Sequence, residues 1–229
     1  DVRRTIINKV SFTVPNGKKV AIVGPTGAGK STISRLLFKF YDPKEGNIYI
    51  NNTNINSISQ NSLRKIIGVV PQDTVLFNDS IYYNIAYGNA SSSKEEVINA
   101  AKNADIHNFI SSLPDGYKTI VGERGLKLSG GEKQRVAIAR TILKNPKIFF
   151  FDEATSALDT STEKEIQKNL ENISAGKTTL IIAHRLSTAA NADNIIVLDQ
   201  GAIIEQGTHQ SLLLEKGKYF EMWEKQKPS

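Results

Sequence analysis

Five short apolar segments are spread along the chain, with room for a helix or a loop between them. They are Val20–Val23, Ile67–Val70, Ile148–Phe151, Thr179–Ala183 and Ile195–Leu198. None of them alternates strictly between apolar and polar residues, which is typical of parallel strands that are covered on both faces. The pattern therefore predicts a buried parallel sheet and a fold of the α/β class.

Helical patterns lie between these predicted strands. After Lys30, the apolar residues Ile33, Leu36, Leu37 and Phe40 recur at helical spacing and predict an amphipathic helix. Three other helices are predicted to begin at the S/T-x-x-E pattern of a capping box, in which Ser or Thr and Glu bond each other's backbone N–H groups. These patterns are Ser93–Glu96, Ser129–Glu132 and Thr160–Glu163.

The remaining segments suggest how these elements are organised. Phe12–Val14 and Asn47–Ile50 have turn-rich neighbours and predict short antiparallel strands at one side of the core. The small-residue loop Gly88–Ser93 indicates where a mostly helical insert begins. We expect a single domain over residues 1–229, with a core at about 1–87 and 144–229 and a helical subdomain at about 88–143.

Composition narrows the class of protein without naming a function. The chain has 229 residues, of which 39% are hydrophobic and 23% charged, as in globular domains. No apolar stretch approaches the roughly 20 residues that cross a bilayer. The absence of cysteine excludes disulfides, thiolate metal sites and cysteine nucleophiles. The net charge of +6 is compatible with an anionic partner.

A phosphate-binding loop follows the first predicted strand. The residues Gly24, Pro25, Thr26, Gly27, Ala28, Gly29, Lys30 and Ser31 match G-x-x-x-x-G-K-[ST] between a strand and a helix. Glycines let successive N–H groups turn toward a β-phosphate, and the helix adds its positive end. We expect Lys30 to reach the β- and γ-phosphates and Ser31 to ligate Mg²⁺, with Thr32 in the same set. A glycine-rich turn with an accidental lysine is the alternative.

Two carboxylates end the predicted strand Ile148–Phe151. Asp152 is placed to hold Mg²⁺ through water, and Glu153 is placed to act as general base toward the attacking water. Two acidic residues after a strand are more often a solvated strand end or a helix cap. Together with the phosphate-binding loop, however, they indicate a P-loop NTPase, although they do not choose among its branches.

The segment Leu128–Arg135 indicates which branch of the P-loop NTPases this chain resembles. It is similar to the signature motif of ATP-binding-cassette (ABC) nucleotide-binding domains. Ser129 is expected to cap a helix, while Gly130 and Gly131 expose N–H groups at its positive end and offer a second γ-phosphate site. A capped helix with small residues for packing is the alternative interpretation. It explains Ser129 and Glu132 but gives no reason for the two glycines.

The resemblance covers essentially the whole chain and implies several further roles. It implies a RecA-like α/β core with an antiparallel β subdomain and an inserted helical subdomain. Gln72 matches a glutamine that ligates Mg²⁺ and water, Ser156–Asp159 matches a loop crossing the dimer interface, and His184 matches a histidine that contacts the γ-phosphate. The aromatic residue that stacks on adenine in this family is missing from residues 1–8.

The same resemblance implies partners. In this family the signature of one copy closes on ATP held by the P-loop of another, so we expect a head-to-tail dimer, here a homodimer, with two ATP molecules and Mg²⁺. Thr119–Gly125 resembles a loop of ABC exporters that touches the coupling helices of the transmembrane domain. Pro71–Gly88 resembles half-transporters that export iron–sulfur precursors, glutathione conjugates or heavy-metal conjugates.

These half-transporters imply a location on the cytosolic or matrix face of a membrane. That membrane is the mitochondrial inner membrane in a eukaryote and otherwise a bacterial inner membrane. A multidrug or peptide exporter is the alternative within the exporters. A soluble ABC ATPase acting on nucleic acid or ribosomes is disfavoured because basic residues are dispersed and Lys30 and Asp152 share one compact domain. A regulator without hydrolysis is disfavoured by Glu153 and His184.

Overall fold

The computed structural model describes residues 6–152, 154 and 160–227. Its strands are β1 (Lys19–Val23), β2 (Tyr49–Ile50), β3 (Thr53–Asn54), β4 (Ile67–Val70), β5 (Ile148–Asp152), β6 (Thr178–Ile182), β7 (Asn194–Asp199) and β8 (Ala202–Gly207). Its α-helices are α1 (Lys30–Leu37), α2 (Gln60–Ile66), α3 (Ile81–Ala86), α4 (Lys94–Asn103), α5 (His107–Ser112), α6 (Gly130–Lys144), α7 (Thr160–Ser174), α8 (Leu186–Ala189), α9 (His209–Glu215) and α10 (Lys218–Gln226).

The chain forms two compact units. Unit 1 comprises Asp1–Ile67 and Lys177–Ser229, and unit 2 comprises Gly68–Gly176. The helical subdomain predicted at about residues 88–143 falls inside unit 2, and its bounds remain a prediction. No helix within the described ranges is both long and apolar enough to cross a bilayer.

A buried sheet in the order β6-β1-β7-β8 forms the centre of unit 1. Strand β1 pairs in parallel with β6 on one side and with β7 on the other. Its residues Val20–Val23 are fully buried, as the uninterrupted apolar run predicts. The predicted strands in this sheet are confirmed, each within one residue of its expected bounds. The central strand β1 leads directly into the predicted phosphate-binding loop.

Two antiparallel features of unit 1 differ from the prediction. Strand β8 pairs antiparallel with β7 and was not predicted, because its half-buried and exposed residues alternate instead of forming an apolar run. Phe12–Val14 was predicted to be a strand and this is wrong, since residues 11–15 belong to no ladder. The second predicted segment is confirmed in part, as Tyr49–Ile50 pairs with β3 in a short hairpin.

Helix α1 is also shorter than its apolar pattern predicts. It ends at Leu37, and Lys39 adopts a left-handed conformation with φ of 54°. Phe40 consequently lies beyond the helix and is 59% exposed, so it does not continue the buried stripe of Ile33. An arginine covers it instead, with the Arg64 guanidinium 5.5 Å from the ring centroid.

Unit 2 consists of packed helices beside the neighbouring strands β4 and β5. Helix α6 packs against α3, α4 and α7, and its residues Val136 and Ile138 are fully buried. The capping boxes predicted for α4 and α6 are both formed. Helix α7 begins at Thr160, one residue earlier than a capping box with Thr160 as N-cap predicts.

Asp193 fixes the register between β1 and β7 in unit 1. Its carboxylate accepts hydrogen bonds from the Lys19 N–H at 2.8 Å and from the Lys18 ammonium at 3.0 Å. The Asp193 N–H donates in return to the Lys19 carbonyl at 2.8 Å. The bond from the Lys19 backbone, followed by the one from Lys18, lowers the pKa of the Asp193 carboxyl.

Asp193→Asn is expected to lower the free energy of unfolding by about 0.5 kcal/mol at pH 7, a small value because the pair is largely exposed. A lowered folded-state pKa contributes stability above the unfolded-state pKa, which is about 3.9, and loses it as the pH falls through the folded-state value. Urea unfolding should therefore show the difference at pH 7 and little difference near about pH 2. Asp42→Asn, at an exposed site, is the control. Equal stabilities at pH 7, or a difference that persists in acid, would contradict this role.

Candidate functional site

The loop between β1 and α1 has a backbone that only glycine can supply. Gly24 has φ of 152°, and a Cβ there would overlap the Leu198 carbonyl. Gly29 has φ of 108° at the N-cap of α1, where a Cβ would lie 2.6 Å from the Ile7 side chain. Gly27, with φ of 82°, faces open space. The first and last glycines are thus required by close packing, and the middle one by its conformation.

Lys30 lies beneath this loop and is only 5% exposed. Its ammonium donates to the Gly24 carbonyl at 2.7 Å and to the Pro25 carbonyl at 3.0 Å. The N–H groups of Gly27 and Gly29 donate to no other group in the described part of the chain. A buried cation and N–H groups that donate to no described group at the start of a helix suit a phosphate anion. The residues present therefore fit a nucleoside triphosphate.

The turn between β7 and β8 is hydrogen-bonded to the phosphate-binding loop. The Gly201 N–H donates to the Ala28 carbonyl at 3.1 Å, and the Gly201 carbonyl accepts from the Asn8 N–H at 2.7 Å. Gln200 and Gly201 both have positive φ, of 46° and 79°. Sequence reasoning missed this support, although a turn-forming glycine between two strand-like segments is a hairpin signal.

His184 lies at the same edge of the unit 1 sheet as the loop. The Ala183 N–H donates to the Ile22 carbonyl at 3.0 Å, which extends the pairing of β6 with β1 to their carboxyl ends. The His184 side chain follows directly and is exposed. Because α/β sheets bind ligands beyond the carboxyl ends of parallel strands, this placement is compatible with the predicted contact to a phosphate.

Unit 2 contains the other predicted site residues that the structure describes. Asp152 is the last residue of β5 and is half-buried, and Gln72 is exposed just after β4. Glu153 and Asp159 lie outside the described residues. Within the described ranges, no group of three or more histidine, aspartate or glutamate side chains could hold a metal ion.

Gln134, which sequence reasoning missed, holds the segment around Gln72. Its side chain is 3% exposed; the amide nitrogen donates to the Pro71 carbonyl at 3.1 Å, and the amide oxygen accepts from the Thr74 hydroxyl at 2.5 Å. These partners lie on either side of Gln72. A glutamine in the middle of an apolar helix face is the signal that could have identified it.

The signature segment forms the start of α6. The Ser129 hydroxyl accepts from the Glu132 N–H at 3.3 Å, and the Glu132 carboxylate accepts from the Ser129 N–H at 2.7 Å. Gly130 is the first helical residue. A Cβ at Gly131 would lie 2.7 Å from the Thr162 methyl group of α7. From the sequence, packing was expected to give no reason for either glycine. Close packing against Thr162 does require glycine at position 131, so the expectation is wrong for Gly131.

An exposed aromatic cluster lies in the segment that carried the exporter resemblance. The rings of Phe77, Tyr83 and Tyr87 contact one another, with Phe77 and Tyr87 at 4.5 Å between centroids. The Arg140 guanidinium lies 5.7 Å from the Phe77 ring and donates to the Asn84 carbonyl at 2.8 Å. Burial lowers the pKa of Arg140.

Comparison with known proteins identifies the family. Residues 7–156 match the family described as ABC transporter. The chain is 60% identical over 226 residues to an ATM1-type heavy metal exporter of Novosphingobium aromaticivorans, covering 99% of this chain and 37% of that protein. It is 58% identical over 222 residues to the mitochondrial iron–sulfur clusters transporter ABCB7 of Oryzias latipes, covering 96% of this chain and 30% of that protein.

A solved structure gives the same result. The structure of a bacterial Atm1-family ABC exporter with ATP bound superposes with a TM-score of 0.94 at 59% identity, covering all of this chain and 40% of the other. The chain belongs to the ABC transporter family. The family and fold class predicted from the sequence are confirmed. The chain spans about a third of the length of the relatives it matches.

Gly131→Ala is expected to destabilise the protein by about 1 kcal/mol, because overpacking against Thr162 outweighs the gain in helix propensity. Thr162→Ser keeps the hydroxyl group and removes the methyl group that the new Cβ would meet. In that background Gly131→Ala should be neutral or stabilising, as measured by urea unfolding of the four variants. An equal cost in both backgrounds would show that contact with α7 is not the reason for this glycine.

Proposed function

We propose that this chain is the ATP-hydrolysing domain of a half-transporter that exports iron–sulfur precursors, glutathione conjugates or heavy-metal conjugates. The observation that carries the ATPase function is the buried Lys30 beneath a glycine loop at the end of β1. The substrate class is supported by relatives whose names specify heavy metals and iron–sulfur clusters.

ATP binding is assigned to the loop and the first turn of α1. Gly27 and Gly29 of the loop offer backbone N–H groups to the β-phosphate, and Lys30 supplies positive charge to the β- and γ-phosphates. Thr32 follows Ser31 in the first turn of α1 and is included in the proposed ATP-binding set. Binding requires the ammonium to exchange carbonyl partners for phosphate oxygens. This exchange is favourable because a bond between two opposite charges is stronger than a bond from a cation to a neutral carbonyl.

Mg²⁺ would be held by oxygen ligands on Ser31, Asp152 and Gln72. Hydroxyl, carboxylate and amide oxygens are the ligands that this cation prefers, so the set of donors fits. When bound, the cation neutralises charge on the β- and γ-phosphates. Asp152 is the last residue of its strand and is half-buried, so its carboxylate is accessible to a cation.

Hydrolysis is assigned to Glu153, His184 and Gln72. Glu153 orients a water molecule and accepts its proton as the oxygen attacks the γ-phosphorus, and the bond to the β-phosphate oxygen breaks to leave ADP and phosphate. His184 contacts the γ-phosphate, and Gln72 orients the water. The position of His184 at the carboxyl end of β6, beside the strand that carries the loop, supports its role.

A second copy of the chain would complete each site, in a head-to-tail homodimer that holds two ATP molecules. Ser129, Gly130 and Gly131 at the positive end of α6 would meet the γ-phosphate bound by the loop of the partner. Asp159 would lie at the interface between the copies. Loss of the γ-phosphate removes the charge that joins the copies and lets them separate.

The domain would work on the cytosolic or matrix face of a membrane, beneath its own transmembrane domain and coupling helices. One relative is named a heavy metal exporter of a bacterium and another a mitochondrial iron–sulfur clusters transporter, and these names support a bacterial or a mitochondrial inner membrane. The exposed rings of Phe77, Tyr83 and Tyr87 suit contact with another protein segment.

Lys30→Ala and Glu153→Gln should separate binding from hydrolysis. Lys30→Ala removes charge-assisted hydrogen bonds to phosphate and should weaken ATP binding by about 10- to 100-fold. Glu153→Gln removes the base and should lower kcat by about 100-fold or more, with ATP affinity unchanged. Calorimetric ATP titration and phosphate release on the full-length protein measure the two effects.

Lys44→Ala and Glu45→Gln are the matched controls, since both residues are exposed beyond α1. They should bind and hydrolyse ATP as the unmodified protein does. Unchanged ATP affinity in Lys30→Ala would remove the phosphate-binding role. Normal turnover in Glu153→Gln would remove the general base.

A further inference from the structure

The last residue of α10 holds the backbone of the His184 loop. The Gln226 side-chain oxygen accepts a hydrogen bond from the Leu186 N–H at 2.8 Å, and its amide nitrogen donates to the His184 carbonyl at 3.0 Å. One side chain therefore bonds the backbone on both sides of Arg185. Gln226 lies 40 positions after Leu186 and 42 positions after His184, so the tertiary structure brings them together.

The loop needs this partner because its own residues do not cap the helix that follows it. Helix α8 begins at the fully buried Leu186, and its N-cap residue is Arg185, which makes no capping hydrogen bond through its side chain. Arginine has no acceptor atom and cannot satisfy a helix N–H group. A primary amide offers an acceptor and a donor at once, which matches an N–H and a carbonyl two residues apart.

Helix α10 is itself firmly attached to unit 1. The Glu205 carboxylate of β8 accepts hydrogen bonds from the N–H groups of Lys218 and Tyr219 in its first turn. Tyr219 is fully buried, its hydroxyl lies 2.8 Å from His209 Nδ1, and burial raises its pKa to about 12. The His209 ring also lies 4.5 Å from the Trp223 ring. This anchoring gives Gln226 a fixed position from which to hold the loop.

We propose that Gln226 is a positioning residue for His184. By fixing the carbonyl of His184 and the N–H group of Leu186, it sets the backbone from which the His184 side chain reaches the γ-phosphate. This inference rests on the proposed ATPase function and adds a residue to it. Gln226 follows the matched family segment, which ends at residue 156.

Gln226→Met tests the role, because methionine has nearly the same length and can form neither hydrogen bond. In the full-length protein, kcat for ATP hydrolysis should fall about tenfold, as expected for a small misplacement of a catalytic group. KM for ATP should stay within about twofold, because the loop that binds the phosphates is unaltered. Gln210→Met makes the same change at an exposed site on α9 and should leave both constants unchanged.

A double-variant cycle separates positioning from a general loss of structure. Gln226→Met should lower kcat when His184 is present and have no further effect in the His184→Ala background, because the group being positioned is gone. An equal loss in both backgrounds would overturn the inference. Should Gln226→Met fold poorly by thermal unfolding, Gln226→Glu serves the same cycle, since it keeps the acceptor for Leu186 and removes the donor to His184.

The single variants distinguish this inference from the function on which it rests. If His184→Ala hydrolyses ATP at the unmodified rate, the proposed role of His184 fails, and the positioning role fails with it. If His184→Ala is slow while Gln226→Met is fully active with an unchanged KM, only the positioning role is overturned. A slow His184→Ala and a slow Gln226→Met with non-additive effects would support both.

Discussion

The buried ammonium group of Lys30 is the interaction on which the nucleotide site depends. A charge that is only 5% exposed needs compensation, and the carbonyls of Gly24 and Pro25 provide it at 2.7 and 3.0 Å. Because the carbonyl and the N–H of a trans peptide group point in opposite directions, the bond from Lys30 to the Pro25 carbonyl leaves the Thr26 N–H facing away from Lys30. The positive φ of Gly24 and the close packing against Leu198 follow from the same geometry.

The backbone of the site loops is held by groups that are remote in sequence. The turn at Gly201 supports the phosphate loop, Gln134 bonds the residues on either side of Gln72, and Gln226 bonds those on either side of Arg185. Two of these supports are primary amides on helices, which can satisfy a donor and an acceptor simultaneously. These hydrogen bonds hold the segments around Gln72 and His184 without involving the side chain of either residue.

The sequence predicts the parts of this structure that arise from local patterns. Strand β1, the phosphate loop and the capping boxes all follow from short segments whose residue types have a direct conformational reason. Strand β8 has only the short apolar segment Ala202–Ile204 before its polar residues, and Phe12–Val14 forms no strand within the described part of the chain. Pairing depends on the rest of the chain, which explains both errors.

Side-chain contacts between distant segments were harder to predict. The need for glycine at position 131 comes from Thr162 on another helix, and the role of Gln226 comes from a loop 40 positions earlier. Neither residue type carries a local signal for its partner. The family resemblance supplied the roles of Gln72 and His184 but not the residues that hold them in place.

In the proposed dimer, ATP joins the phosphate loop of one copy to the start of α6 in another. The chain contains no cysteine, so single cysteines can be introduced without background. Mixing a Thr26→Cys copy with a Lys133→Cys copy in the Glu153→Gln background, and adding a short bismaleimide, measures this contact directly. We expect a cross-linked pair of unlike copies that forms with ATP and not with ADP. Cross-linking that is independent of ATP, or none at all while ATP is bound, would contradict it.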